Sequence, residues 1–315
     1  VVPRFPESVA GISVAYLGLQ HPPDRFGDQA AAAQAWLIDA LRASGGPSHH
    51  ERSEFRDRAG FSNALFACYW MDDGFEAWWR GVGERWTRDE SQFPDIGRFV
   101  EVFQPSVDRF EGITDGVTLR GIARLSGRMS GPVREQGYWG SMRDRLPRSQ
   151  TDGLAPAGAF SQVKAGTLVS VQAPANLCII VSGQDWSGGE PDEQAGYIAT
   201  IEPTMKASMD LLDSEGLRFG CFCNRYAWVQ DADGRPTAAT FGMSIWRGLA
   251  QLEQWGETHF THLASYVGAA AHYQRFGKST RLSRYHEVFV PAAEQARFEY
   301  RNCHGLTGVL EASAA

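Results

Sequence analysis

The sequence predicts an α+β fold built twice over from one small unit. Three observations carry this expectation. Short apolar runs with strand character alternate with amphipathic helical stretches, the order of elements recurs in the two halves, and a Gly-, Arg-, Ser- and Pro-rich connector poor in apolar runs lies between them. Strand and helix are separated by the period of their apolar residues, about 2 against about 3.6.

In the first half, SVAYLGLQ (13–20) reads as a strand and DQAAAAQAWLIDALRAS (28–44) as a helix. NALFACYW (63–70) is a second strand, DDGFEAWWRGVGERW (72–86) a second helix, and GRFVEVFQP (97–105) a closing strand. The second half repeats the order with NLCIIVSGQDW (176–186), a helix around 190–214, RFGCFCNRYAWV (218–229) and a turn at DADG (231–234). TAATFGMSIW (237–246), the helix RGLAQLEQWGETH (247–259) and the strand YHEVFVP (285–291) complete it. FACYW ahead of an aromatic helix mirrors GMSIW ahead of LAQLEQW. Strand–helix–strand–strand–helix–strand, twice, predicts duplicated ferredoxin-like units packed face to face as a dimeric-type α+β barrel with helices outside. A single compact domain is expected over 1–315, with halves at about 10–115 and 170–310 and a functional connector at 116–169, because long loops inside compact folds often carry function.

A chain of 315 residues, 43% hydrophobic and 21% charged, has ordinary globular composition and can bury a large core. No apolar run approaches the ~18 residues that span a bilayer, and no signal segment opens the chain, so a cytoplasmic protein without a membrane partner is expected. A net charge of −7 argues against nucleic acid, which requires a basic face. Cys68, Cys178, Cys221, Cys223 and Cys303 show neither CxxC nor CxxCH spacing. That argues against a disulfide framework, a thiolate zinc site and covalent haem attachment, and predicts buried free thiols in a reducing compartment. Ten tryptophans offer walls for a core or for a flat apolar cofactor, and the predominance of arginine over lysine suits carboxylates, cofactor propionates included.

WGETHFTHLASY (255–266) holds His259 and His262 three residues apart at a helix end. Zinc proteases set two histidines at i and i+4 around a glutamate, whereas Phe260 and Thr261 stand between these two and further ligands are lacking. A single imidazole suffices for an axial position on haem iron, and a helix-capping histidine is the plain alternative. His272, His286 and His304 follow within the last sixty residues. EQGYWGSMRDRLPRSQTD (135–152) taken alone reads as an exposed arginine-rich loop, and VSGQDW (181–186) as a strand end.

Taken together and in order, GYWGSMRDRLPRSQTD, SGQDW, CFCNRYAWVQDADG, WGETHFTHL, YHEVFV and FEYRNCHGLTG closely resemble the haem-containing aldoxime dehydratases, a family that includes phenylacetaldoxime dehydratase. The resemblance implies a lyase that converts R–CH=N–OH to a nitrile and water. It further implies haem b, ferrous in the active state and lying between sheet and helices, with the substrate bound through its oxime nitrogen. By the same resemblance His262 is the proximal ligand, His286 the distal general acid/base, Ser182 the partner of the oxime hydroxyl, Arg145 a catalytic-site arginine and Glu111 a substrate-pocket carboxylate. His259 is then a neighbour of the ligand. A homodimer is implied too, and a flavin or another reductant as electron source. Histidine suits the acid's task because its unperturbed pKa of about 6.5 lets it hold or release a proton near neutrality. The family pattern leads one to expect proline where Phe260 and Gly305 stand, and 267–284 resembles it least. The rival expectations are a haem peroxidase or chlorite-dismutase-like oxidoreductase, and a haem carrier or sensor without turnover.

Overall fold

The computed structural model describes residues 1–25, 27–71, 74–115 and 118–314. Its strands are β1 (Pro3–Arg4), β2 (Ile12–His21), β3 (His49–Arg56), β4 (Ser62–Met71), β5 (Gly97–Phe103), β6 (Phe110–Thr114) and β7 (Arg128–Met129). They continue with β8 (Ser161–Ala165), β9 (Leu168–Gln172), β10 (Cys178–Asp185), β11 (Cys221–Gln230), β12 (Pro236–Trp246), β13 (Ser283–Phe289) and β14 (Ala296–Arg301). The helices are α1 (Asp28–Arg42), α2 (Gly74–Trp78), α3 (Glu84–Thr87), α4 (Ser141–Arg145), α5 (Pro191–Thr200), α6 (Glu202–Glu215), α7 (Leu249–Thr258), α8 (Phe260–Phe276) and α9 (Leu310–Ala314).

Twelve strands form one antiparallel sheet in the order β6-β13-β10-β12-β11-β3-β4-β2-β5-β14-β9-β8, while β1 pairs with β7. Within it, β3-β4-β2-β5 and β13-β10-β12-β11 are the same arrangement met from opposite ends. The two blocks join through only two residue pairs, Trp228 with Glu54 and Val229 with Ser53. Each block's outer strand is covered by a strand from elsewhere in the chain, β6 lying on β13 and β14 on β5.

Most expected elements are present, with differences that have local causes. The helix expected around 190–214 is broken at Ile201, one residue before the Glu202–Pro203 start of α6, because proline is tolerated only in a first turn. Of the helix expected over 72–86, Asp72 and Asp73 lie outside the described residues; the remainder runs through a π-turn at Trp79–Gly83 between α2 and α3. The connector carries the hairpin β8–β9 at its end. The unexpected strand β3, HHERSEFR, is nearly all polar, and the unexpected helix α8 follows His259 directly.

Alternation sorts side chains onto two faces. On the inner face, Val14, Tyr16, Leu65, Ala67 and Tyr69 of the first half pack with Val181, Met243, Tyr285 and Phe289 of the second in one core. On the outer face of the first half, Leu17, Phe66, Trp70, Trp78, Trp79 and Trp86 fill the space under the helices. The outer face of the second half is covered by Trp246, Leu249, Leu252 and Trp255. In the inner core Arg225 donates to both oxygens of Glu101, at 2.6 and 2.7 Å, and the Tyr300 hydroxyl donates to Glu101 at 2.8 Å. Glu101→Ala strands a buried guanidinium and is expected to cost about 3–5 kcal/mol in urea unfolding. No helix among the described residues is long and apolar enough to cross a membrane.

Candidate active site

The site lies on the outer face of the second half, where β6, β13 and β10 run side by side. Register sets Ser182 of β10 opposite His286 of β13, and His286 opposite Ile113 of β6. Two residues along, Glu111 stands opposite Val288 on the same face. Arg284, His286 and Val288 therefore form one outward row, while Tyr285 and Glu287 point into the inner core, where Tyr69 OH donates to Glu287 at 3.1 Å. His286 is exposed on this face, with β10 and β6 on either side of its strand.

The connector supplies the next group. Arg145, at the end of α4, donates from Nε and Nη2 to the two oxygens of Glu111, both at 2.8 Å, and from Nη1 to the Glu135 carbonyl at 2.6 Å. Both partners are nearly closed off from solvent, at 7% and 2% side-chain exposure. Burial raises the Glu111 carboxyl, and the guanidinium opposes that rise. The pair fixes a cation beside His286.

Ser182 accepts from Gln184 Nε2 at 3.5 Å, a long contact from the next residue on the same face. Opposite Ser182 stands Gly242, where a Cβ would come within 2.1 Å of the Met209 methyl. The missing side chain lets α6 approach the strand beside Ser182.

His262 occupies the first turn of α8. Its Nδ1 lies 2.7 Å from the Gly256 carbonyl, so Nδ1 carries the hydrogen and the lone pair is on Nε2. Burial lowers its pKa and keeps the ring neutral at pH 7. Trp139 of the connector packs against His262 and Tyr266, at centroid distances of 5.8 and 5.5 Å. His259 is otherwise engaged: it stacks on Trp255 at 3.7 Å, and its Nδ1 meets Thr261 Oγ1 at 2.9 Å at the start of α8. His272 and His304 sit on Glu193 and Asp57, at 3.2 and 2.9 Å.

His286 and His262 feel each other electrostatically. The pKa of His286 is lowered to about 3, first by burial, then by the positive neighbours Arg284 and Arg145 and by His262. Neither ring nitrogen of His286 has a hydrogen-bond partner among the described residues. The structure thus brings His286, Ser182, Arg145 and Glu111 together on one face of the sheet, with His262 near enough to act on the His286 ring. The sequence reading missed three contributors: Gly256, which orients His262; Gln184, which contacts Ser182; and Arg284, which follows from period 2 once His286 is set outward.

These residues fit a haem. A neutral imidazole whose Nδ1–H is held by a backbone carbonyl presents Nε2 as an axial ligand. Around it Trp139, Tyr266 and Val267 are 44%, 51% and 65% exposed, a concentration of accessible apolar surface suited to a flat macrocycle. Among the described residues no group of three or more His, Cys, Asp or Glu side chains is placed to hold a bare metal ion.

Fold and site together define an α+β protein with one large antiparallel sheet, whose second half carries one histidine on a strand and another in the first turn of a neighbouring helix. The sequence profile described as haem-containing dehydratase matches residues 15–309, and the chain belongs to that family. It is 33% identical to an aliphatic aldoxime dehydratase of Pseudomonas chlororaphis and 31% identical to one of Rhodococcus erythropolis, each over 98% of this chain and 89% of the relative. It is 28% identical to a phenylacetaldoxime dehydratase of Bacillus sp. (strain OxB-1), with the same coverage. Its fold matches an aldoxime dehydratase crystallised with butyraldoxime with a TM-score of 0.91 at 32% identity, covering 99% of this chain and 88% of the other. A second aldoxime dehydratase structure matches at 0.90 and 34%, covering 99% and 90%.

Proposed function

We propose that the chain dehydrates aldoximes to nitriles at this site, R–CH=N–OH giving R–C≡N and water. The observation that carries the reading is the pairing of Ser182 with His286 across β10 and β13, with His262, its Nδ1 held by the Gly256 carbonyl, near enough to act on the His286 ring. Haem, once bound through His262, supplies a ferrous iron for the oxime nitrogen.

The remaining work falls to the chain. Ser182 Oγ hydrogen-bonds the oxime hydroxyl and fixes the N–O bond beside the His286 ring. His286 passes a proton to the departing hydroxyl, which leaves as water, and collects the proton lost from carbon. Arg145, held by Glu111, sets a fixed positive charge where negative charge develops on oxygen. The apolar walls keep bulk water away.

The same reading takes the two strand blocks as ferredoxin-like units, 10–115 and 170–310, in one domain with 116–169 as connector. It puts haem between the outer face of the second block and its helices, the corresponding space in the first block being filled by tryptophans. A homodimer accompanies it, tested by light scattering. Relatives named for aliphatic aldoximes and a neighbour bound to butyraldoxime support a short alkyl substrate.

The test is anaerobic incubation of dithionite-reduced, haem-loaded protein with butyraldoxime and with phenylacetaldoxime. Butyronitrile is expected as the larger product. Failure to form either nitrile overturns the reading.

A further inference from the structure

Arg284 begins the outward row of β13, two residues before His286, and stands opposite Gln184. Its side chain is exposed, and its guanidinium carbon sits 4.6 Å above the Tyr273 ring of α8, the helix that also carries His262. It lies close enough to His286 to be the first positive neighbour depressing that ring.

The other arginines near the site are committed. Arg145 grips both oxygens of Glu111, and Arg143 contacts Glu253 at 2.7 to 3.1 Å. Arg284 has no carboxylate within ion-pair distance among the described residues. The nearby Asp115 uses its oxygens on the Ser283 hydroxyl, at 3.0 Å, and on the backbone N–H of residue 284, at 2.6 Å. The guanidinium thus lies against a ring, is exposed, and has no carboxylate within ion-pair distance among the described residues.

Arg284 and His286 are the exposed members of the row, whereas Val288 is fully buried. A planar guanidinium fork matches a carboxylate in two parallel hydrogen bonds.

We propose that Arg284 is a carboxylate-binding residue of the site, pairing with a haem propionate or with a carboxylate carried by the substrate beyond its oxime. The proposal rests on the aldoxime reading of the site only for its substrate arm. In either case the pair neutralises the cation beside His286 and lets that ring hold a proton more readily than it does next to a bare guanidinium.

The experiment compares the unaltered protein with Arg284→Gln and Arg284→Lys. In the first arm each is loaded with iron protoporphyrin IX or its dimethyl ester, and release to excess apomyoglobin is timed. A propionate partner predicts that Arg284→Gln speeds release of the diacid about 10-fold relative to the ester, with Arg284→Lys between. In the second arm, kcat/KM is measured for butyraldoxime and for an alkyl aldoxime ending in a carboxylate. A substrate partner predicts that the ratio of carboxylate to neutral substrate falls about 10-fold in Arg284→Gln and is partly restored in Arg284→Lys. A response in either arm supports the proposal and identifies the source. Unchanged ratios in both overturn it. If the unaltered protein forms no nitrile, the aldoxime reading fails while the release arm still decides the role of Arg284.

Discussion

His262→Ala is expected to fold but not to retain haem. Of the two imidazoles on α8, His272 is engaged by Glu193, while that of His262 is oriented by one short contact, Nδ1 to the Gly256 carbonyl at 2.7 Å. Removing the ring takes away the iron bond and the residue against which Trp139 packs, without breaking a helix hydrogen bond. Far-UV circular dichroism should therefore be unchanged, while titration with haemin should yield no sharp Soret band of a histidine-ligated haem. Added imidazole should restore that band, since the small ring can occupy the space the side chain leaves. Loss of the second-sphere partner alone typically costs 10- to 100-fold in metal affinity, so loss of the ligand itself should exceed about 100-fold. A variant that keeps the normal Soret band at haem-limiting concentration would assign the ligand elsewhere.

Much of this was legible in the sequence because strand alternation is local. NLCIIVSGQDW and YHEVFVP declare their faces, so Ser182 and His286 could each be set on a strand. What a local pattern cannot give is register between strands about a hundred residues apart, and it is register that brings Ser182 opposite His286. The grip of Arg145 on Glu111 is likewise a tertiary fact: alone, each reads as an ordinary surface charge, yet together they are nearly solvent-free. Strand β3 escaped because HHERSEFR lacks an apolar alternation. Its small and charged residues face buried partners, Glu51 and Ser53 among them, and neighbouring strands supply the hydrogen bonds. Helix α8 escaped for a functional reason. Its Tyr266 and Val267 are exposed in the structure, so its apolar residues do not form the single inward stripe by which a packed helix is recognised.

The His286 substitution separates chemistry from cofactor binding. His286 is on a strand and is not the proposed axial ligand, so His286→Ala should keep its haem and its Soret maximum and still bind aldoxime by difference spectroscopy. Turnover should fall by about 100- to 10,000-fold, the range supplied by a positioned general acid or base. The sign of the pH dependence follows from the ring's surroundings. With burial, Arg284, Arg145 and His262 all opposing the charged form, the pKa is lowered to about 3, and the isolated ring is neutral from pH 5 to 8. A neutral imidazole is competent to accept the carbon-bound proton. To give one to the leaving hydroxyl it must first gain one, which becomes easier when the nearby cation acquires a counter-ion. Activity of the loaded enzyme should therefore show an acid limb that rises on acidification, as more of the ring gains the proton it gives to the leaving hydroxyl. That acid limb should vanish in His286→Ala, whose residual rate is flat over the same range. An acid limb that persists unchanged in the variant would mean that another group moves the proton, and Glu111, whose carboxyl is raised by burial, would be the next to replace.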